Sequence, residues 1–201
     1  MKTYKRLISI DPGLTCSGWA LFDLKTMKLQ GVGKIKSKKQ GVLNERLQDF
    51  QEKVLSLFNM LNLSPSDILV CEEATTMIDP RSTLIVEQVR CVFEVLAREK
   101  GVKVPGRINP RTVQYEIMGL KGKQIDRENV KLVARNSVKQ LYSGMLKDIG
   151  FPVDKLMQKT NQDIVDSILI GALGVSRVKS FVHAKCKIEE MFSSNYGRRR
   201  C

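Results

Sequence analysis

The sequence predicts a single α/β domain, and three observations lead to this prediction. Short runs with the period of a β-strand open the chain and are joined by tight turns. Amphipathic helix patterns then alternate with further short apolar runs. The chain has 201 residues, 42% of them hydrophobic, which is enough for a sizeable core. No apolar run approaches the roughly 20 residues of a membrane-spanning helix, and no apolar signal segment opens the chain, so we expect a cytoplasmic protein.

The charge of the chain predicts a polyanionic partner. Lys and Arg number 34 against 21 Asp and Glu, a formal net charge of +13. No basic amphipathic anchor stands out, so nucleic acid is favoured over a membrane surface, although charge does not distinguish DNA from RNA. The five cysteines are odd in number and lack C-x-x-C spacing, and His183 is the only histidine. These counts argue against a zinc site, a disulfide framework and a histidine-based catalytic centre.

The first three strands are predicted over residues 6–12, 17–24 and 27–35, joined as an antiparallel meander. The first strand ends on Asp11, which is followed by Pro12 and Gly13. Asp-Pro-Gly is ordinary turn chemistry, so Asp11 taken alone is a turn residue. A carboxylate on the rim of a sheet would also suit a metal ligand. The choice depends on whether other carboxylates converge on it.

A helix over 41–62 is followed by a short apolar strand over 67–73, which again ends on acids, Glu72 and Glu73. The next helix, over 80–100, is apolar around most of its circumference. A helix of this kind packs on two sides. One side would cover the sheet and the other would meet a second copy, so we predict a homodimer through this helix. The alternative is a helix buried inside one domain.

The rest of the domain is predicted as an edge strand over residues 102–108, interrupted by Pro105 and Gly106, and three helices over residues 110–118, 127–146 and 161–180. The second of these helices carries basic residues every four positions: Arg127, Lys131, Arg135 and Lys139. A single basic row is usually a solvated face. Beside the basic loop containing Lys121 and Lys123, we favour a surface that contacts phosphate. A flexible basic tail is expected over 184–201, after a domain over 1–183.

Two further acids open the last helix, which is otherwise apolar. Asp163 and Asp166 are three residues apart and therefore share one face, in the turns where the helix dipole favours negative charge. Dipole stabilisation alone would explain them. If the first and fourth strands are parallel neighbours, however, Asp11, Glu72 and this pair meet at one edge of the sheet.

Clustered carboxylates repel one another unless a cation lies between them. Oxygen ligands select hard ions such as Mg²⁺ or Mn²⁺. Two such ions, roughly 3.5–4 Å apart, can activate a water and stabilise the leaving oxygen of a phosphodiester. An acidic metal site beside a basic surface is what a nuclease needs.

Three motifs carry a resemblance to a known family. Residues 8–20, ISIDPGLTCSGWA, closely resemble the first motif of RuvC-type Holliday junction resolvases. Residues 70–73, VCEE, are similar to the second motif, and residues 162–171, QDIVDSILIG, to the last. The order and spacing of the motifs agree, and the resemblance extends over about residues 5–178.

The resemblance implies an RNase H-like fold with a five-stranded mixed sheet, three antiparallel strands and then two parallel ones, flanked by helices. It implies a crossover junction endodeoxyribonuclease, a homodimer that nicks opposite strands of a four-way DNA junction in recombination and repair, with divalent metal. By motif match, the metal-binding catalytic residues are Asp11, Glu72, Asp163 and Asp166, with Glu73 as the alternative to Glu72. The family also has basic residues before the last helix, and Arg127 falls on one such position, with Lys121 and Lys123 nearby.

Two positions depart from the family pattern. Bacterial members carry an aromatic residue shortly after the second motif, where this chain has Met77 and Ile78 as candidates for an apolar wedge at the junction centre. A family lysine aligns with Gln114 or its neighbours. Loosened junction preference would suit a phage-encoded relative. The alternatives are therefore a less selective nuclease of flaps and forks, or a non-catalytic protein that binds branched DNA.

Overall fold

The computed structural model describes residues 4–74, 79–122, 126–184 and 186–193. Its centre is a five-stranded sheet in the order β3-β2-β1-β4-β5. β1 pairs antiparallel with β2, and β2 with β3, whereas β1 and β4, and β4 and β5, are parallel. The predicted mixed sheet is confirmed. The strands are β1 Arg6–Asp11, β2 Ser17–Asp23, β3 Leu29–Ile35, β4 Asp67–Glu72 and β5 Arg107–Ile108.

Helices cover both faces of the sheet. They are α1 Leu43–Met60, α2 Pro80–Glu99, α3 Pro110–Glu116, α4 Arg127–Asp148, α5 Gln162–His183 and α6 Ile188–Met191. One core lies between the sheet and α4 with α5, and the other between the sheet and α1 with α2. None of the helices in the described part of the chain is long and apolar enough to cross a membrane.

β5 is an interrupted edge strand. Only Arg107–Ile108 forms a ladder with β4, and a separate bridge joins Lys103 to Ile68. Pro105 has no N–H to donate, and Gly106 adopts φ +155°, so the ladder cannot run through them. The predicted break in this strand is therefore observed, and the paired segment is shorter than predicted.

Helix α5 lies directly on β1 and β2 through small residues. A Cβ on Gly171 would lie 2.1 Å from a ring carbon of Phe22 and 2.5 Å from the Ser9 hydroxyl. That hydroxyl donates to the carbonyl of Ser167, at 2.7 Å, and ties the middle of α5 to β1. This close contact fixes where the first turn of α5 meets the sheet edge.

Part of the predicted tail packs against the domain. Ile188, Met191 and Phe192 are buried, and the Arg177 guanidinium of α5 donates to the carbonyl of Met191 at 2.9 Å. The expectation of a flexible tail from residue 184 therefore needs correction for residues 186–193. Residues 194–201 lie outside the described residues.

Candidate metal centre and nucleic-acid interface

Two carboxylates meet at the carboxyl ends of neighbouring parallel strands. β1 and β4 pair with Ile10 opposite Cys71, so Asp11 and Glu72 follow at the same edge of the sheet. The Asp11 and Glu72 carboxyl groups lie within hydrogen-bonding reach of each other, and a proton shared between them would offset their repulsion when no cation is bound.

Burial and like charges raise the pKa values of this pair. Burial, followed by the charges of Glu72, Asp166 and Asp163, holds the pKa of Asp11 well above its usual range. Burial and the charge of Asp166 raise the pKa of Glu72 to about 7, while hydrogen bonding with Asp11 lowers it. Both causes penalise the ionised forms, so the pair favours either a proton or a cation.

The first turns of α5 bring the other two carboxylates to this edge. Asp163 lies in the first turn, and Asp166 follows one turn later on the same face. Burial raises the pKa of Asp166 to about 6. The hydrogen bond from Gln162 lowers it, Asp163 raises it, and the positive charges of Lys131 and Arg135 lower it. All four predicted carboxylates therefore act on one another electrostatically.

Gly18 allows this convergence. It stands in β2 opposite the start of α5, and a Cβ there would lie 1.8 Å from the carbonyl oxygen of Asp163. The obstructing atom is backbone, so any side chain at this position would push the first turn of α5 away from the sheet.

The turn after Asp11 is held by side-chain bonds. The buried Ser17 hydroxyl accepts from the N–H of Gly13 at 2.9 Å and donates to the carbonyl of Gly13 at 2.8 Å. The turn interpretation of Asp-Pro-Gly and the metal-ligand interpretation are thus compatible, because the turn fixes the end of the strand that presents Asp11.

Two residues beside Asp163 were missed by sequence reasoning. The Cys16 thiol is hydrogen-bonded to Asp163, and burial together with this carboxylate raises the pKa of Cys16 to about 12. The Lys34 ammonium donates to the carbonyl of Thr160 and to Oδ1 of Asn161, both at 2.7 Å, immediately before α5. The β2–β3 register, with Gly18 opposite Lys34, is the signal that could have located Lys34 here.

The adjacent acids Glu72 and Glu73 have different partners. The carboxyl group of Glu72 lies within hydrogen-bonding reach of the Asp11 carboxyl group. Glu73 accepts from the side-chain amide of Asn109, at 2.9 Å, and its backbone N–H donates to Ile108. Asn109 caps α3, so Glu73 holds the β5–α3 connection to β4. This arrangement favours Glu72 as the ligand.

The chemistry of the donors suits a hard divalent ion. The set is made of carboxylate oxygens, and three of them have raised pKa values that a cation would reverse. In the described part of the chain, no three Asp, Glu, Cys or His side chains are already arranged closely enough to hold a metal ion. The residues therefore fit the ion by chemical type, and the carboxylates would have to move closer together to bind it.

A cleft of about 760 Å³ opens beside these carboxylates. Asp11, Glu72 and Asp166 line one part of its wall. Basic and amide side chains from α3, α4 and α5 also line it, together with apolar residues; the basic and amide residues are Arg111, Gln114, Arg127, Lys131 and Gln162. Acidic and basic side chains thus line the same cavity, which suits a phosphodiester near metal ions.

The predicted basic surface is present in part at this cleft. Arg127 and Lys131 are exposed and line it, and Lys131 is 3.6 Å from Glu128. Lys121 is exposed near its mouth, two residues before the described part is interrupted. Lys123 lies outside the described residues, as do Met77 and Ile78, so the predicted loop contact and apolar wedge stay predictions.

The expectation for Arg135 needs correction. Arg135 is only 6% exposed and belongs to the buried face of α4, with Ala134 and Val138. Its Nε donates to Oε1 of Gln162 at 2.9 Å. A four-residue repeat drifts around a helix of 3.6 residues per turn, so the row that starts on the cleft at Arg127 has turned toward α5 by Arg135. It is therefore not a surface residue that contacts DNA.

Comparisons with known proteins agree with the motifs. No family model matches the sequence. The chain is 28% identical over 116 residues to the crossover junction endodeoxyribonuclease RuvC of Paramagnetospirillum magneticum, which is 57% of this chain and 68% of that protein. It is 31% identical over 101 residues to RuvC of Xanthobacter autotrophicus and 34% identical over 101 residues to that of Methylocella silvestris. These two alignments cover 49% of this chain and 58% and 56% of the relatives.

The fold is similar to that of solved RuvC structures. Thermus thermophilus RuvC in complex with a Holliday junction substrate superposes with a TM-score of 0.60 over 88% of this chain and 96% of that chain, at 17% identity. A second structure of Thermus thermophilus RuvC gives a TM-score of 0.59 at 18% identity, over 87% of this chain and 96% of that chain. The chain is therefore similar in sequence to RuvC proteins over about half of its length, and its fold is that of the solved RuvC structures.

Proposed function

We propose that this chain is a metal-dependent, structure-selective DNA endonuclease that resolves four-way junctions by paired nicks in opposite strands, acting in recombination and repair. The observation that carries the proposal is the convergence of Asp11, Glu72, Asp163 and Asp166 at the carboxyl edge of β1 and β4, beside a cleft with basic walls. The similar RuvC proteins are named for this activity.

The four carboxylates would hold Mg²⁺ or Mn²⁺, with two ions supplying activation of a water molecule and stabilisation of the leaving oxygen. The chain's own part is to hold these groups rigidly. The register of β1 and β4 fixes two of them, and the close packing of α5 against Gly18 fixes the other two. Arg127 and Lys131, which line the same cleft, would hold the phosphate backbone near the cluster.

The test is cleavage of a four-way junction with label on both strand pairs, with and without Mg²⁺. We expect symmetric nicks that disappear when the metal is chelated. Asp11→Asn should bind the junction but lower the cleavage rate by more than about a hundredfold, since a ligand matters at least as much as the groups that support it. Asp148→Asn, an exposed acid at the end of α4, is the matched control.

The outcome separates the alternatives. Equal cleavage by wild type and Asp11→Asn would refute the site. Comparable cutting of flaps, forks and junctions at equal concentration would indicate a less selective branched-DNA nuclease. Junction binding by folded protein, with no metal-dependent cleavage of any branched DNA, would indicate a non-catalytic binding protein.

We further propose that the protein acts as a homodimer through α2. One face of this helix packs on the domain through Val89 and Phe93, which are both fully buried. The outer side carries a stripe of exposed residues at helical spacing, with Leu84 65% exposed and Val95 50% exposed, and with Gln88 and Cys91 between them. A self-complementary stripe of this kind suits a twofold contact, and paired nicks need two active sites.

A further inference from the structure

We propose that Arg135 and Gln162 form a positioning relay that orients Asp166 for metal binding. The proposal rests on the function proposed above. Arg135 Nε donates to Gln162 Oε1 at 2.9 Å, and Gln162 Nε2 donates to Asp166 Oδ1 at 2.9 Å. The relay therefore runs from the buried face of α4, across the first residue of α5, to a carboxylate that lines the cleft.

The direction of the relay is fixed by chemistry. A guanidinium can only donate hydrogen bonds, so the carbonyl oxygen of the Gln162 amide must face Arg135. Its NH₂ group must then face Asp166, and Asp166 must accept at Oδ1. This contact restrains rotation of the carboxyl group and leaves Oδ2 as the oxygen outside the relay. Groups that hold a ligand in this way set both its orientation and its affinity for metal.

The burial of Arg135 supports this role. Arg135 is 6% exposed and Gln162 9% exposed, so both are shielded from water. No carboxylate among the described residues lies within salt-bridge distance of Arg135, and its Nη2 is buried without a hydrogen-bond partner there. A buried guanidinium whose partner is a neutral amide is costly. The acidic cluster that the relay leads to is the negative charge that compensates it.

Direct metal binding tests the relay independently of cleavage. Mn²⁺ is titrated into DNA-free protein, and the free ion is followed by its paramagnetic resonance signal. Gln162→Leu and Arg135→Met each remove one donor at similar volume, and Lys139→Met, an exposed position one turn along α4, is the control. We expect about a tenfold weaker Mn²⁺ affinity for each of the two variants, and wild-type affinity for Lys139→Met.

The double variant distinguishes a relay from two independent structural effects. Arg135 orients Asp166 through Gln162, so Arg135→Met combined with Gln162→Leu should bind Mn²⁺ no more weakly than Gln162→Leu alone. The Arg135 charge also acts directly on Asp166, but loss of a positive charge would strengthen cation binding and cannot imitate the expected weakening. Gln162→Met removes the same two hydrogen bonds with a different apolar side chain, and should also weaken Mn²⁺ binding. Thermal melts establish that each variant is folded, and if one is not, Gln162→Met and the remaining single variant decide.

Mn²⁺ affinities within twofold of wild type for folded Gln162→Leu and Gln162→Met would overturn the proposal, as would additive effects in the double variant. Its failure is distinguishable from failure of the proposed function. If the wild type and its variants show the expected relative Mn²⁺ affinities but the wild type cuts no junction, the relay stands and the nuclease proposal falls.

Discussion

At the scale of single residues, the acidic cluster lowers the stability of the metal-free protein at neutral pH. Burial holds the pKa of Asp11 well above its usual range, and it raises the pKa of Glu72 to about 7 and that of Asp166 to about 6. In the unfolded chain these groups titrate near pH 4. Between about pH 4 and 7 the folded state therefore holds more protons than the unfolded state, and raising the pH through this window lowers stability.

Glu72→Gln should therefore stabilise the metal-free protein at pH 8, since a neutral amide avoids the buried charge. We expect a melting temperature at least about 3 °C above wild type, and a smaller difference at pH 4, where the wild-type carboxyl is protonated. Calorimetry with EDTA measures both. Adding Mg²⁺ at pH 8 should raise the melting temperature of wild type more than that of the variant, and equal shifts would argue against Glu72 as a ligand.

The position of α5 against the sheet depends on Gly18. Gly18→Ala places a Cβ 1.8 Å from the Asp163 carbonyl, so we expect a loss of roughly 1–3 kcal/mol in the free energy of unfolding and impaired cleavage as the first turn of α5 moves. Gly144→Ala is the matched control, because a Cβ there meets nothing within 4 Å, and it should leave stability equal or higher. Denaturant unfolding compares them, and similar stabilities would contradict this account of the site.

At the scale of elements, α4 and α5 divide the site between them. α5 carries two carboxylates and the amide of Gln162, while α4 carries basic residues toward the cleft at its start and toward α5 further along. Arg127 and Arg135 belong to the same sequence row but have different environments. The rotation of the helix separates a residue that lines the cleft from a buried one.

The outer face of α2 gives a prediction about assembly. Leu84→Glu combined with Val95→Glu should yield a monomer, because two charges would be buried in an apolar twofold contact. Light scattering after size exclusion measures the mass. Leu141→Glu, at a residue 53% exposed on α4, should leave a dimer intact. Mild oxidation should also cross-link the wild type through the exposed Cys91, and a monomeric wild type at all concentrations would exclude this interface.

At the scale of the whole molecule, the excess of basic charge supports the proposed DNA binding. The net charge is +13, yet the edge that carries the clustered carboxylates is acidic. In the proposed function, basic residues would therefore hold the DNA beside the carboxylates rather than upon them, and Arg127 and Lys131, which line the same cleft, are the residues we expect to do so.

Lys131→Gln should lower the dependence of junction binding on salt. Each phosphate contact contributes about 0.9 to the slope of log affinity against log salt concentration, so we expect the slope to fall by about 1. The measurement uses Asp11→Asn as the background to prevent cleavage. Lys179→Gln is the control, since residue 179 lies about 24 Å along α5 from Asp163. An unchanged slope for Lys131→Gln would remove this residue from the DNA-binding surface.

The sequence alone determined the elements and the order of the motifs. Period-two and helical patterns are local, so the five-stranded sheet and the helices could be predicted, and acids at the ends of two strands indicated the edge where the carboxylates converge. Partners distant in the chain could not be predicted, because they depend on register and helix rotation. Only the tertiary structure separated Glu72 from Glu73, turned Arg135 inward and placed Lys34 beside the start of α5. A pattern gives each residue its local conformation, but packing decides which groups it meets.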